Sequence, residues 1–327
     1  MMRSRSRSAL AALVAACCAA PALAQAPDSL VLRLASMTAV TGFEDAMAES
    51  LLAALPSAAL DRAGNVVWSR GSGEPIRVAL CPMDEVGWVV GSVTPEGYLT
   101  LRRVGITPMG PLFDQFLEGQ RVTVFGRRGA VPGVVGVRSV HLTRGRLATS
   151  DAPFALDDAA VDVGATSAAG VRALGIDVLA PVARAKRAHR YGPDLVAAPD
   201  ATARAACAAL LAAVLRTPTP ARPGTVIAAF TRRRQLRWDG ASFVLMEHAR
   251  GVAPGGVVVV GESAAEDSLG AGAAPAGRDS IGVARGYQAV TTWGLPTRYA
   301  HTPVETVSLK DVAALTARLS AFLGGER

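Results

Sequence analysis

The feature that most constrains this chain is a hydrophobic period that changes twice along its length. In residues 28–60, Leu30, Leu32, Leu34, Met47, Leu51, Leu52 and Leu55 recur largely at three- and four-residue steps. From Tyr98 to about Val182 the pattern becomes alternation, as in Leu99/Leu101, Val122/Val124 and Val161/Val163, divided by Gly and Pro. Past the polar stretch Arg184 to Tyr191, helical spacing returns in Ala201 to Leu215 and again in Leu309 to Leu323, the latter opened by Ser308 with Asp311 in its first turn. A 3.6-residue period lays one apolar stripe along a helix, whereas a period of two lays one apolar face on a strand. The expected fold is therefore α/β, with a sheet-and-helix domain built from 28–87 and 183–327 and an all-β barrel inserted at 88–182. Short strands are expected at Ile76 to Leu80, Val86 to Ser92, Thr225 to Phe230 and Val257 to Val260, with a helix around Ser242 to His248.

The N-terminus reads as a secretory signal over 1–24. Arg3, Arg5 and Arg7 precede the apolar run Ala9 to Ala20, and Ala22-Leu23-Ala24 supplies a small-x-small cleavage site. Val14-Ala15-Ala16-Cys17 is only a loose lipobox, so cleavage is expected rather than lipid anchoring at Cys17. The expected location is secreted or periplasmic, with no transmembrane span after signal removal. That leader carries three of the Arg and no acid, so its loss lowers the formal net charge of +7. All but two of the 34 basic residues, Lys186 and Lys310, are Arg. No motif interleaves them with aromatics, so nucleic-acid binding is not expected. Cys81 and Cys207 remain, both in apolar segments, and are expected to be buried free thiols; one bridge is the alternative.

Six pieces, in order, carry a resemblance. They are Thr41-Gly42-Phe43-Glu44, Asp61-Arg62-Ala63-Gly64-Asn65, Met83-Asp84-Glu85-Val86-Gly87, Gly133-Val134-Val135-Gly136 leading to His141, Val161-Asp162-Val163-Gly164-Ala165, and Arg298-Tyr299-Ala300-His301-Thr302-Pro303-Val304-Glu305. Together they resemble the co-catalytic metallo-aminopeptidases of the glutamyl-aminopeptidase and tetrahedral-aminopeptidase type, metallopeptidase family forty-two. That resemblance implies a zinc-exopeptidase-like α/β/α sandwich with an inserted β-barrel, assembly into a homo-oligomer, and two divalent ions, zinc or cobalt. Each ion needs a His and a carboxylate, a further carboxylate bridges the pair, and a Glu deprotonates the metal-bound water.

Most of those residues are replaced. Pro82 stands where the family's first His belongs, which leaves Asp84 without the ligand it would orient. Pro199 falls at the bridging Asp, with Asp200 one residue away. Arg234 stands at the catalytic base and Gln235 at the neighbouring ligand; Gly261 precedes Glu262 at the next carboxylate; His301 is intact. An Arg can act neither as ligand nor as base at neutral pH. Like charges 4 Å apart repel by about 4 kcal/mol at an effective dielectric of 20, and a divalent ion doubles that. Arg232, Arg233 and Arg234 are therefore read either as a solvated turn or as an anion-accepting surface. His141 and His301 read as structural residues, the latter a hydrogen-bonded relic. His189 reads as exposed loop, and His248 has no partner at ligand spacing. No nucleophile elbow occurs.

The expected function is a secreted family homologue that has lost dinuclear catalysis. It would bind peptides or other carboxylate-bearing ligands through Asp84, Arg232, Arg233, Arg234, Gln235 and Tyr299, and no cofactor is expected. The alternative is an active aminopeptidase whose Asp84, Asp200, Glu262 and His301 rebuild a site for one or two divalent ions.

Overall fold

A computed structural model describes residues 27–105, 113–137, 154–217, 224–248, 252–262, 276–278 and 290–325. The signal segment, Cys17 and His141 lie outside the described residues, as does the side chain of Glu262. Two helices, α1 (Pro27–Ala35) and α2 (Asp45–Ala54), lead into β1 (Ala59–Leu60), β2 (Val66–Ser72) and β3 (Ile76–Pro82). The chain then enters a closed six-stranded barrel of β4 (Gly87–Val93), β5 (Leu99–Val104), β6 (Arg121–Gly126), β7 (Gly129–Val135), β8 (Val161–Asp162) and β9 (Pro181–Arg184). Inward residues such as Trp88, Val90, Leu101, Val124 and Val182 fill the barrel at the two-residue period seen in the sequence. The all-β expectation for this stretch needs one correction. Ala168–Ala173 forms a short helix, α3, because Ser167 accepts the Gly170 N–H and caps it.

The chain leaves the barrel through β10 (His189–Tyr191), β11 (Leu195–Ala197), α4 (Ala201–Arg216), β12 (Gly224–Thr231), α5 (Asp239–His248) and β13 (Val252–Glu262). It ends in β14 (Ala276–Arg278), β15 (Val290–Leu295), β16 (Thr306–Ser308) and α6 (Leu309–Gly324). The main sheet runs β1-β2-β12-β3-β13-β15-β14, and its centre, β12-β3-β13-β15, is parallel. Being covered on both faces, the central strands are near-continuous runs of Val, Ala and Leu. One face packs on α1, α4 and α6 through Leu34, Leu210, Leu211 and Leu315; the other packs on α5 through Trp238, Val244 and Leu245. This is an α/β/α sandwich. A small antiparallel sheet, β10-β11-β16, flanks it.

The cysteines correct the free-thiol expectation: Cys81 on β3 and Cys207 on α4 form a disulfide with Cα atoms 5.5 Å apart. Apolar context was the argument for free thiols, but here both contexts are the same core. The inward face of the central strand meets the inward face of the helix that covers it, at a separation that suits a bridge.

Candidate functional site

Ligands of open parallel sheets bind beyond the carboxyl ends of the strands. Here those ends are Pro82, Thr231, Glu262 and Leu295; Thr231 lies opposite Pro82, and Glu262 opposite Leu295. Gly261, at this rim, is buried, and a Cβ added to it would meet nothing within 4 Å among the described residues.

Beyond β12 the chain forms a tight loop whose amides are taken by side chains from other elements. Asn65 Oδ1 accepts the Arg232 N–H at 2.9 Å, Glu44 Oε1 accepts the Arg233 N–H at 3.0 Å, and Asp84 Oδ2 accepts the Gln235 N–H at 3.1 Å. With these anchors the loop holds Arg233, Arg237 and Trp238 in the left-handed region at φ of 58°, 62° and 56°. Such residues persist only where the surroundings over-determine them. The Arg side chains turn back onto the protein, although Arg233 Nε has no partner among the described residues. Arg232 reaches Asp45 at 2.7 Å and the Gly64 carbonyl at 2.6 Å, Arg233 donates to the Ala63 carbonyl, and Arg234 lies over the Trp238 ring. The stretch is half-buried, not a freely solvated turn.

Asp84 is buried beneath this loop. Its Oδ1 has no hydrogen-bond partner among the described residues. Burial pushes its carboxyl above the ordinary value, against the pull of the Arg234 and Gln235 amides. Glu44 is raised for the same first reason, and the neighbouring Asp84 charge adds to it.

A second cluster lies where the barrel meets α4. Lys186, just past β9, has a side chain only 3% exposed and places its ammonium on Glu85 Oε2, on Asp200 Oδ2 at 3.2 Å and on the Pro199 carbonyl at 2.8 Å. Arg204 shares Glu85 Oε2 at 2.8 Å and donates to the Met83 carbonyl. For Asp200, burial alone would raise the carboxyl. The charges of Lys186, Arg184 and Arg204 outweigh it and hold Asp200 below its ordinary value. Glu305 receives the Thr202 N–H at 2.7 Å and the His301 N–H at 2.9 Å. Burial, then the Asp200 charge, raises its carboxyl.

The expected residues thus fall into two groups. Asp84, Arg232, Arg233, Arg234 and Gln235 share the β12 loop, while Asp200 joins Lys186 and Glu85 at the start of α4. His301 reaches that second group through its N–H to Glu305; His301 and Tyr299 are exposed, with φ of 62° and 58°. Sequence reasoning missed Lys186, Glu85, Arg204 and Glu305. The one available signal was that a chain with only two Lys places one of them in an otherwise Arg-rich stretch. Among the described residues, no three His, Cys, Asp or Glu side chains converge as a metal would require. Asp200 is engaged by an ammonium and Asp84 by backbone amides, so the described donors do not fit a two-ion centre.

A parallel-sheet α/β/α sandwich carrying a closed barrel, with its site at the strand ends, defines a class of exopeptidase-like proteins. The model of the M42 glutamyl aminopeptidase family matches residues 64–273, more than half of the chain. The chain belongs to this family of metallopeptidases. SgcX of Escherichia coli (strain K12), named there as a candidate aminopeptidase, is 33% identical over 180 residues, 53% of this chain and 46% of SgcX. The match therefore spans about half the length of that relative. The aminopeptidase APDkam598 of the archaeon Desulfurococcus kamchatkensis superposes with a TM-score of 0.79 at 21% identity, covering 91% of this chain and 94% of that one. The TET1 peptidase of Pyrococcus horikoshii superposes with a TM-score of 0.77 at 22% identity, covering 91% and 99%. At these identities the two structures establish the fold.

Proposed function

We propose that this chain is a family member that no longer hydrolyses peptides through two metal ions and instead binds peptides by their carboxylates. The observation that carries the reading is the Lys186 ammonium fixed between Glu85, Asp200 and the Pro199 carbonyl. A protein cation there neutralises the carboxylate nearest the expected bridging position, and an ion entering beside it would meet like charge. The replacements Pro82, Arg234 and Gln235 point the same way: Pro has no side-chain donor atom, Arg is neither ligand nor base at neutral pH, and Gln offers a neutral amide oxygen in place of a carboxylate. In this reading the protein works outside the reducing cytoplasm, secreted or periplasmic. The Cys81–Cys207 bridge supports that, since structural disulfides persist in oxidising compartments. Assembly into a homo-oligomer belongs to the same reading, because the Pyrococcus horikoshii TET1 peptidase assembles into a tetrahedron or a large octahedral shell.

The test is metal content together with turnover. The full chain, purified and dialysed against zinc or cobalt, is expected to retain less than one ion per chain and to release no N-terminal residue from a peptide panel. Two retained ions, with chelator-sensitive release, would establish the alternative built on Asp84, Asp200, Glu262 and His301.

A further inference from the structure

Besides Thr41 Oγ1, Glu44 Oε2, Asp84 Oδ1 and Arg233 Nε near the β12 loop, five buried side-chain atoms among the described residues lack partners, and all five are donors. They are Trp88 Nε1, Arg103 Nε, Arg184 Nε and Nη2, and Arg204 Nε. Three of these four side chains surround one ring: Arg103 and Arg184 lie 5.3 and 5.0 Å from the centre of Phe113, and Trp88 stacks on it. Arg103 and Arg204 each have an acid elsewhere, in Asp114 and Glu85. Among the described residues, Arg184 has none bonded to it. Its residue is 7% exposed, and its guanidinium lies against Trp88 and Phe113.

The two orphaned nitrogens of Arg184 share one edge of the guanidinium. That edge can grip a carboxylate with two parallel N–H···O bonds. A buried donor left unpaired carries the full cost of its lost hydration, so a ligand supplying both acceptors recovers it. We propose that Arg184 is the carboxylate-binding fork of this protein, and that its ligand is the single planar carboxylate of a peptide or amino acid.

The surroundings narrow the ligand. Asp200, Glu85, Glu305 and Asp114 all act on the Arg184 charge from the elements packed around it, and none bonds its Nε or Nη2. They keep the guanidinium cationic, but a second negative charge on the ligand would face four carboxyls. A tetrahedral dianion such as phosphate also fits a two-pronged planar edge less well than a carboxylate. The inference deepens the peptide-binding reading and rests on it only for the identity of the ligand.

The test titrates acetate, acetamide and phosphate against the full chain, following the Arg184 Nε–H resonance and calorimetric heat. Acetate is expected to shift that resonance and to saturate, while acetamide and phosphate leave it unchanged at equal concentration. Arg184→Lys keeps the charge and loses the fork, and is expected to weaken acetate binding by at least tenfold. If Arg184→Lys fails to fold, the wild-type resonance still decides. No acetate response, or equal binding by Arg184→Lys, overturns the proposal and leaves the metal-content result standing. Two bound metal ions would instead overturn the loss of catalysis and leave the acetate result untouched.

Discussion

Lys186→Met removes the one ammonium that satisfies Asp200 while nearly preserving side-chain volume. At the observed 3.2 Å, the Lys186–Asp200 attraction is about 5 kcal/mol at an effective dielectric of 20. Part of that returns when Asp200, whose side chain is 25% exposed, rehydrates, and Glu85 keeps Arg204 at 2.8 Å. Breaking one partner of a buried pair costs roughly 3–5 kcal/mol, and these two compensations place Lys186→Met at the low end, about 3 kcal/mol. The sign with pH follows from the lowered Asp200 value. The stabilisation is present above the unfolded carboxyl value and disappears as pH falls through the lower folded one. Urea unfolding followed by tryptophan fluorescence should therefore show a gap at pH 7 that closes toward acid. The double variant Lys186→Met/Asp200→Asn should recover more than half of the loss, since no uncompensated charge remains on Asp200. A single variant as stable as wild type at pH 7, or a double variant no better than the single, would refute the assignment of Lys186 as the charge that neutralises this site.

Three further outcomes follow from the same geometry. Asp84→Asn keeps an acceptor for the Gln235 amide and removes a charge that burial disfavours. Because a raised carboxyl contributes its full stability only below its unfolded value and loses it as pH rises through the folded one, the variant should gain about 1 kcal/mol over wild type at pH 7 and little at pH 3 in thermal melts; the opposite order would contradict the burial argument. Cys81→Ala/Cys207→Ala opens a crosslink between residues 126 apart, which loop-closure entropy sets at up to about 5 kcal/mol. Since both residues are at most 2% exposed, dithiothreitol should leave the native bridge intact by mass spectrometry unless urea is added. Pro82→His restores one nitrogen ligand but leaves Lys186 and Arg234 in place, so a zinc-supplemented chromogenic aminopeptidase assay should stay at background; a hundredfold rise would show that the histidine alone was missing.

The period changes that located the barrel and the helical flanks survive because each reflects one element burying one face. Trp88, Leu101 and Val124 alternate, and Leu315, Leu319 and Leu323 step by four, whatever the distant chain does. The six family pieces likewise fall at turns and strand ends, where local geometry dictates the residue: Gly42 and Gly64 both have positive φ. The bridge between Cys81 and Cys207 was not legible, because an apolar neighbourhood describes a buried thiol and a buried disulfide equally well. Lys186 was not legible either. In sequence it sits in a polar stretch between Arg184 and His189, and only closure of β9 against β4 and β6 carries it onto Asp200.

The arginine triplet shows why the site's place was readable and its chemistry was not. Three adjacent guanidinium groups after a strand mark a departure from the family pattern, yet their charge says nothing about where it is neutralised. In the fold, Arg232 turns to Asp45 and Gly64, Arg233 to Ala63, and Arg234 to the Trp238 ring, while the amides of Arg232, Arg233 and Gln235 absorb Asn65, Glu44 and Asp84. The loop thus takes buried acceptors by its backbone, and its side chains are largely engaged, with Arg233 Nε alone left unpaired among their buried nitrogens in the described residues. Arg184 is the converse. It is an arginine at a strand end, outside every motif, whose Nε and Nη2 have no bonded partner among the described residues, while the neighbouring acids are held elsewhere: Glu85 and Asp200 by Lys186, and Glu305 by the Thr202 and His301 amides. Charge clusters along a sequence report composition; unpaired donors in a fold report demand. Only the second identifies where an anion is wanted.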